Sequence, residues 1–386
     1  MSAVASTPRS GGAGDESDSL SLLAALEQAA DQIAVLAEGM DRDLALPVAE
    51  VASLHRAGLL AAPFPAAFGG AGIAHGEGAV RILMPILRRL GRASLPLARL
   101  YEGHANAAGL VNAYGKPAQV ARIAEEARRG ALFGVWAADD SEGLHLHDAP
   151  RRRALRGRKI YCSGAGLIAR PLVTARDPYG RAWMLTPGLD RSERVDLSAW
   201  RAQGMRASAT GVVDFTGLSI GPEDIVGGPD DYRRQPLFSG GAWRFTAAQL
   251  GGMEGLLDGL AKHLTDTGRG GDPHQLARFG EAAIAVETAR LWVQRAAEIA
   301  ETSDESAEAI VAYVNLTRST VERAALDLIE RVQRSVGLSA FLRPNPIERM
   351  TRDLATYLRQ SGPDRALTEG AAFTLAQHAG AAGTGT

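Results

Sequence analysis

One cysteine, Cys162, stands in 386 residues. That excludes an intrachain disulfide and any cysteine-built metal cage, and it fits the reducing cytoplasm expected here. Lysine is nearly as scarce: Lys116, Lys159 and Lys262 are the only ones among 42 basic residues. Together with the 44 glycines, this skew is compositional and points to no function. The formal net charge is −2, so neither nucleic acid nor an anionic membrane surface is an expected partner. Residues 1–18 lack the apolar core of a signal peptide and are expected to be a disordered tail. The apolar stretch 57–74 is interrupted by Pro63, Pro65 and a glycine-rich turn, which rules it out as a membrane span; a soluble protein is expected. No G-x-S-x-G elbow or P-loop occurs, and Gly70-Ala-Gly72 lacks the strand–turn–helix setting of a dinucleotide fingerprint. His145 and His147 share one strand face without a third ligand, so no metal site is expected.

What is present is segregated by type. From 19 to 130, apolar residues such as Leu22, Leu26, Ile33, Leu54 and Leu59 recur at helical spacing. From 131 to 236, short apolar runs alternate with turn-formers such as Asp177-Pro-Tyr-Gly180, the pattern of a small antiparallel β-domain. From 237 to 380, four or five long helices joined by short loops predict a bundle. Helices, then strands, then helices argue for an α+β multidomain chain: an N-terminal helical domain, a central antiparallel β-domain and a C-terminal helical bundle.

Several segments carry this order further. Leu54-His-Arg-Ala-Gly-Leu59, Phe68-Gly-Gly-Ala-Gly72, His104, Gly157-Arg-Lys-Ile-Tyr-Cys-Ser-Gly164, Gly204-Met-Arg-Ala-Ser-Ala-Thr210 and Pro346-Ile-Glu-Arg349 with Arg352-Asp353 follow one another along the chain. Together they resemble the acyl-CoA dehydrogenase family over 19–372. The resemblance implies FAD, and it places an aromatic and a hydroxyl against the flavin ring at Tyr161 and Ser163. It sets Val135 and Trp136 at the flavin's pyrimidine end, with Trp136 standing where the family has threonine. It also assigns Gln333 and Gly337 to the adenine and diphosphate bound from a neighbouring subunit, with Arg269 as the remaining diphosphate contact. Arg244 and Ser361 fall at the substrate. A homodimer or homotetramer is implied as well.

The family's dehydrogenation removes a proton beside a thioester carbonyl, which needs a carboxylate of tuned pKa facing the flavin. The two positions from which members supply it hold Ser361 and Trp243 here. An alcohol without an activating partner cannot serve as that base, so the catalytic residue stays unassigned. Asp364 and Glu369 lie close by in sequence but are expected to cap the last helix. The leading expectation is an FAD-dependent oxidoreductase acting on an acyl thioester, outside ordinary β-oxidation. The alternatives are a reduced-flavin monooxygenase, whose chemistry needs no α-proton base, and an inactive structural paralogue.

Overall fold

A computed structural model describes residues 13–43, 45–148, 152–190 and 193–383. Of the tail expected over 1–18, residues 1–12 lie outside this description, and the chain is helical from Ala13. That first helix, α1 (Ala13–Asp43), is long and apolar enough between Leu20 and Asp41 to cross a membrane by length and composition. It is a better spanning candidate on those grounds than 57–74. However, Leu26, Ala29, Ala30, Ile33 and Ala37 form a buried stripe at helical spacing. The stripe packs on a later helix, as a core helix does.

After α2 (Val48–Arg56) come α3 (Met84–Ala93), α4 (Leu95–Tyr114) and α5 (Pro117–Arg128). Each of these last three has proline in its first turn, where the missing N–H costs nothing. α4 is buried on nearly every side and forms the spine of the domain. Its His104 is fixed at both ring nitrogens: Phe133 N–H donates to Nδ1 at 3.1 Å, which leaves Nε2 to donate to the Leu60 carbonyl at 2.8 Å. Burial pushes this imidazole down to about 4, so the histidine is a neutral brace between the domain and the strand that follows.

Among the described residues the strands are β1 (Val135–Trp136), β2 (His145–Asp148), β3 (Arg153–Arg156), β4 (Arg158–Cys162), β5 (Leu172–Arg176), β6 (Ala182–Leu185), β7 (Val195–Asp196), β8 (Gly211–Asp214), β9 (Ser219–Ile220) and β10 (Ile225–Val226). One sheet runs β10-β6-β5-β2-β3-β9 with β1 also on β5, and a second runs β4-β8-β7. The pairing is antiparallel as expected except at β5, where β1 and β2 both run parallel to it.

The bundle comprises α6 (Trp243–Asp266), α7 (Pro273–Thr302), α8 (Ala307–Val336), α9 (Pro346–Tyr357) and α10 (Pro363–Gly383). α6 joins the two helical domains by lying backbone-to-backbone on α3. A Cβ at Gly91 would sit 2.2 Å from the Ala248 carbonyl oxygen, and one at Gly251 would sit 2.0 Å from that of Arg88. Only glycine permits this approach, and it brings the start of α6 up to α4.

Candidate active site

Where α4, β1, α6, α8 and the 360–369 segment converge, they enclose a cleft of about 300 Å³. Val135, Arg244 and Ser361, three of the residues singled out in the sequence, line it. Glu369, expected to cap the last helix, lines it too, and the remaining wall residues carry most of the charge.

At one side Arg244, itself buried, donates from Nη2 to the Ala74 carbonyl at 2.8 Å and to Glu301 Oε1 at 2.7 Å. The Trp243 indole N–H reaches the same carboxylate oxygen at 2.9 Å, and the Gly76 N–H reaches Oε2 at 3.0 Å. Burial works against the Glu301 charge, but the Arg244 guanidinium, His75 and the indole N–H outweigh it and hold the carboxyl near 2. Trp243 is therefore a core residue gripping this pair. Next to it, His75 lines the cleft with Nδ1 3.7 Å from Glu301 and Nε2 donating to the Gly109 carbonyl at 3.1 Å.

On the α4 wall, Glu102 is buried between Arg99 and the amide of Asn106, bonding both. On the bundle wall, the Arg318 Nη2 donates to the Ser361 carbonyl at 2.6 Å. Ser361 itself is exposed toward the cleft and has no activating base at its hydroxyl among the described residues. Glu369 also reaches the cleft, accepting from the Asn315 amide at 3.4 Å and lying 3.8 Å from Arg365. Its place on the second turn of α10 departs from the capping role expected of it. Asp364 does stand in the first turn of that helix.

The flavin-facing candidates form a second cluster beside β1. Tyr161 is 66% exposed and has φ 54°, a left-handed backbone that costs a non-glycine residue about 1–2 kcal/mol. Met205 and Ala209 are also left-handed, at 57° and 47°. A chain of hydroxyls connects these turns. Ser208 donates to the Met205 carbonyl at 2.7 Å and sits 2.6 Å from Thr210, whose hydroxyl donates to Ser163 at 3.4 Å. The Ser163 O–H has no partner of its own among the described residues. A displayed aromatic on strained backbone, next to an uncommitted hydroxyl, fits the edge of a flavin ring.

Trp136 departs from its expected role. Its side chain is buried against Phe215 and its indole N–H is spent on the Ser163 carbonyl at 2.9 Å, so the ring supports Ser163 from behind and cannot cover a flavin. Arg269, Gln333 and Gly337 come together elsewhere, at the end of α8. Arg269 Nη1 donates to the Ser335 carbonyl at 3.4 Å, and Gly337, at φ 78°, returns its N–H to the Gln333 carbonyl. None of the three lines the cleft.

His75, Glu301 and Arg318 had no detectable signal in the sequence, because their partners lie 34 or more residues away. Arg99, Glu102 and Asn106 did have one: three polar residues at i, i+3 and i+7 on a mostly apolar helix share a face that packing alone does not explain.

Comparison with known proteins agrees with this architecture. The acyl-CoA dehydrogenase N-terminal domain matches residues 18–131, and the acyl-CoA dehydrogenase C-terminal domain matches 247–360. L-evernosamine nitrososynthase from Micromonospora sp. is 26% identical, over 83% of this chain and 82% of its own. Dibenzothiophene monooxygenase from Rhodococcus erythropolis is 23% identical, over 83% and 85%. The complex of TdsC from Paenibacillus sp. A11-2 with FMN and indole superimposes with a TM-score of 0.81 at 22% identity, covering 92% and 97% of the two chains.

Proposed function

The chain belongs to the acyl-CoA dehydrogenase family and is a flavin-dependent enzyme, and from that premise we propose that it is a reduced-flavin-dependent monooxygenase in place of an acyl-thioester dehydrogenase. The observation that carries this reading is the fate of the two base positions. Trp243 is wholly buried and committed to Glu301, while Ser361 offers the cleft a hydroxyl with no base to activate it. The carboxylates that do reach the cleft are engaged, Glu102 by Arg99 and Asn106, and Glu369 by Asn315 and Arg365. Relatives named as a nitrososynthase and a monooxygenase support the same reading.

We propose FMN in place of the FAD implied by the resemblance. The diphosphate grip comes down to one exposed guanidinium, Arg269, in a short loop between α6 and α7. The FMN held by TdsC supports this choice. When bound, reduced flavin would supply two electrons to dioxygen, so that one oxygen atom enters the substrate and the other leaves as water. The protein's part is positional. Tyr161 offers a face and Ser163 a hydroxyl hydrogen, steered by Thr210 and Ser208. Arg244 and Glu301 hold His75 at the cleft edge, with its Nδ1 3.5 Å from the Arg244 Nη2 and 3.7 Å from the Glu301 carboxylate.

The test is oxygen uptake with NADH and a separate flavin reductase, set against anaerobic flavin reduction by acyl-CoA. Substrate-dependent uptake with transfer of an oxygen atom from labelled O₂ to product is the expected result. Flavin bleaching by an acyl-CoA overturns the proposal, and colourless protein that takes up no flavin does so in favour of an inactive paralogue. We also propose a homodimer or homotetramer. The exposed Leu338, Phe341 and Leu342 beside Gly337 support it, and light scattering that returns the 40.6 kDa monomer mass would refute it.

A further inference from the structure

Arginine is the residue the cleft holds in excess. Arg99, Arg244, Arg318 and Arg365 line it, against Glu102 and Glu369 on the same walls and Glu301 behind. Arg99 is matched by Glu102 and Arg244 by Glu301. Arg365 lies 3.8 Å from Glu369. Arg318 forms no ion pair among the described residues, and its one hydrogen bond there is to the Ser361 carbonyl. Its Nε is buried without a partner, as is the Nε of Arg244 in the same cleft. An unpaired buried guanidinium N–H is costly, and native proteins seldom leave one without a partner.

Arg318 is also held rigidly. Its guanidinium lies over the Phe245 ring at 5.6 Å, and Phe245 lines the cleft as well. With Nη2 anchored and Nε buried, Nη1 is the nitrogen of Arg318 left uncommitted among the described residues. Burial and the neighbouring Arg365 both press against its charge and pull it below the ordinary arginine value, a pressure that a bound anion would relieve. Planar forks of this kind match two-oxygen anions better than an ammonium group does.

We infer that Arg318, with Arg365 beside it, anchors an oxyanion carried by the substrate: a carboxylate, a sulfur oxyacid or a phosphate on a small molecule. This rests on the reading of the cleft as the substrate site of a flavin monooxygenase. It narrows that reading from neutral heteroaromatics or fatty acyl thioesters to compact, negatively charged substrates. It also gives the bundle wall the task of orientation and leaves the β1 and α4 walls to the reacting end.

The test is calorimetric titration of the full chain at fixed ionic strength with acetate, methanesulfonate and inorganic phosphate, against neutral acetamide and dimethyl sulfone. At least one anion should bind at least tenfold more tightly than its neutral counterpart, and the ranking of the three identifies the anion class. Arg318→Met should cost that anion tenfold or more in affinity, with Arg318→Lys falling between the two. Circular dichroism establishes that each variant is folded, and if Arg318→Met does not fold, Arg318→Lys alone should still weaken binding severalfold. The titration is repeated with FMN present, where the anion should bind without displacing the flavin. Equal binding of charged and neutral probes overturns the inference. So does anion affinity unchanged in the folded variants, since Arg318 would then merely hold the turn at Ser361. Displacement of FMN by the anion overturns it too, because Arg318 would then hold the cofactor's phosphate. Anion binding lost on Arg318→Met in a protein that shows no flavin-dependent oxygen uptake refutes the monooxygenase and leaves the anion site standing.

Discussion

Glu301 and Asp353 are both buried carboxyls, and they make opposite demands on pH. The Glu301 carboxyl is held near 2, against an ordinary value of 4.5. Because the folded value is the lower one, its stabilisation is fully present above about 4.5 and is lost as pH falls from there toward 2. Glu301→Gln leaves Arg244 charged and buried without its partner, a loss of about 3–5 kcal/mol. Thermal melts should therefore show a much lower Tm for the variant at pH 7, and the gap to wild type should narrow as pH approaches 3. Asp353 accepts the Met205 N–H at 2.6 Å with Arg349 3.6 Å away. There burial prevails over the Arg349 charge and lifts the carboxyl from 3.8 to about 6. The folded value is now the higher one, so this group favours the fold most below about 4 and costs stability as pH rises to 6, by roughly 3 kcal/mol across the window. Urea unfolding of Asp353→Asn between pH 4 and 7 should lack that downward slope. A slope equal to wild type would place the titrating group elsewhere.

At the scale of elements, strand β4 shows what can and cannot be read in advance. The family resemblance put an aromatic and a hydroxyl near a flavin, Tyr161 within the strand and Ser163 just after it. The register break between Lys159 and Cys162 and the left-handed Tyr161 that displays the ring are tertiary facts. The neighbouring β1 is two residues long, and alternation says only that Val135 and Trp136 face opposite ways, not which one faces inward. Burial decides it: the larger apolar ring fills the core against Phe215, and Val135 is left to the cleft. Substitution at Tyr161 separates display from stability. Tyr161→Gly removes left-handed strain of about 1–2 kcal/mol and adds chain entropy of nearly the same size. Its ring is mostly exposed and little burial is lost, so the Tm should move by only a few degrees. FMN affinity, read from quenching of flavin fluorescence, should fall about tenfold or more. Unchanged FMN affinity would remove Tyr161 from the flavin site.

Across the whole molecule, the order of domains was legible because helix and strand periodicities change near 131 and again near 237. The seam between the domains was not, since it is built from residues far apart in sequence. The Gly204-Met-Arg206 turn and the Arg352-Asp353 pair read as two separate motifs, yet they are one joint. The Gly204 N–H donates to Thr356 at 3.1 Å, and a Cβ at Gly204 would strike the Arg352 carbonyl oxygen at 2.0 Å. From α9, Arg352 then reaches all three domains. It pairs with Asp41 of α1 at 2.8 Å, with Glu348 on its own helix, and with the Gln203 carbonyl of the β-domain. Arg206 adds a second contact to Asp41 at 3.7 Å. A single side chain thus links the N-terminal helix, the strained turn behind Ser163 and the bundle, and the largely buried setting makes the charges matter more than at an open surface. Arg352→Met keeps the length of the side chain and leaves the Asp41 and Glu348 carboxylates without their shared partner, at a cost of about 3 kcal/mol. Because the joint is shared among the domains, the loss should appear as weakened coupling. Calorimetry should show one unfolding endotherm for the wild type and two for the variant, the earlier one carrying the N-terminal helices. FMN affinity should fall with it, because the turn that steers Ser163 loses its footing on α9. One transition at the wild-type temperature, with FMN bound as tightly as before, would show that the three domains are held together elsewhere, by the backbone contact of α3 with α6.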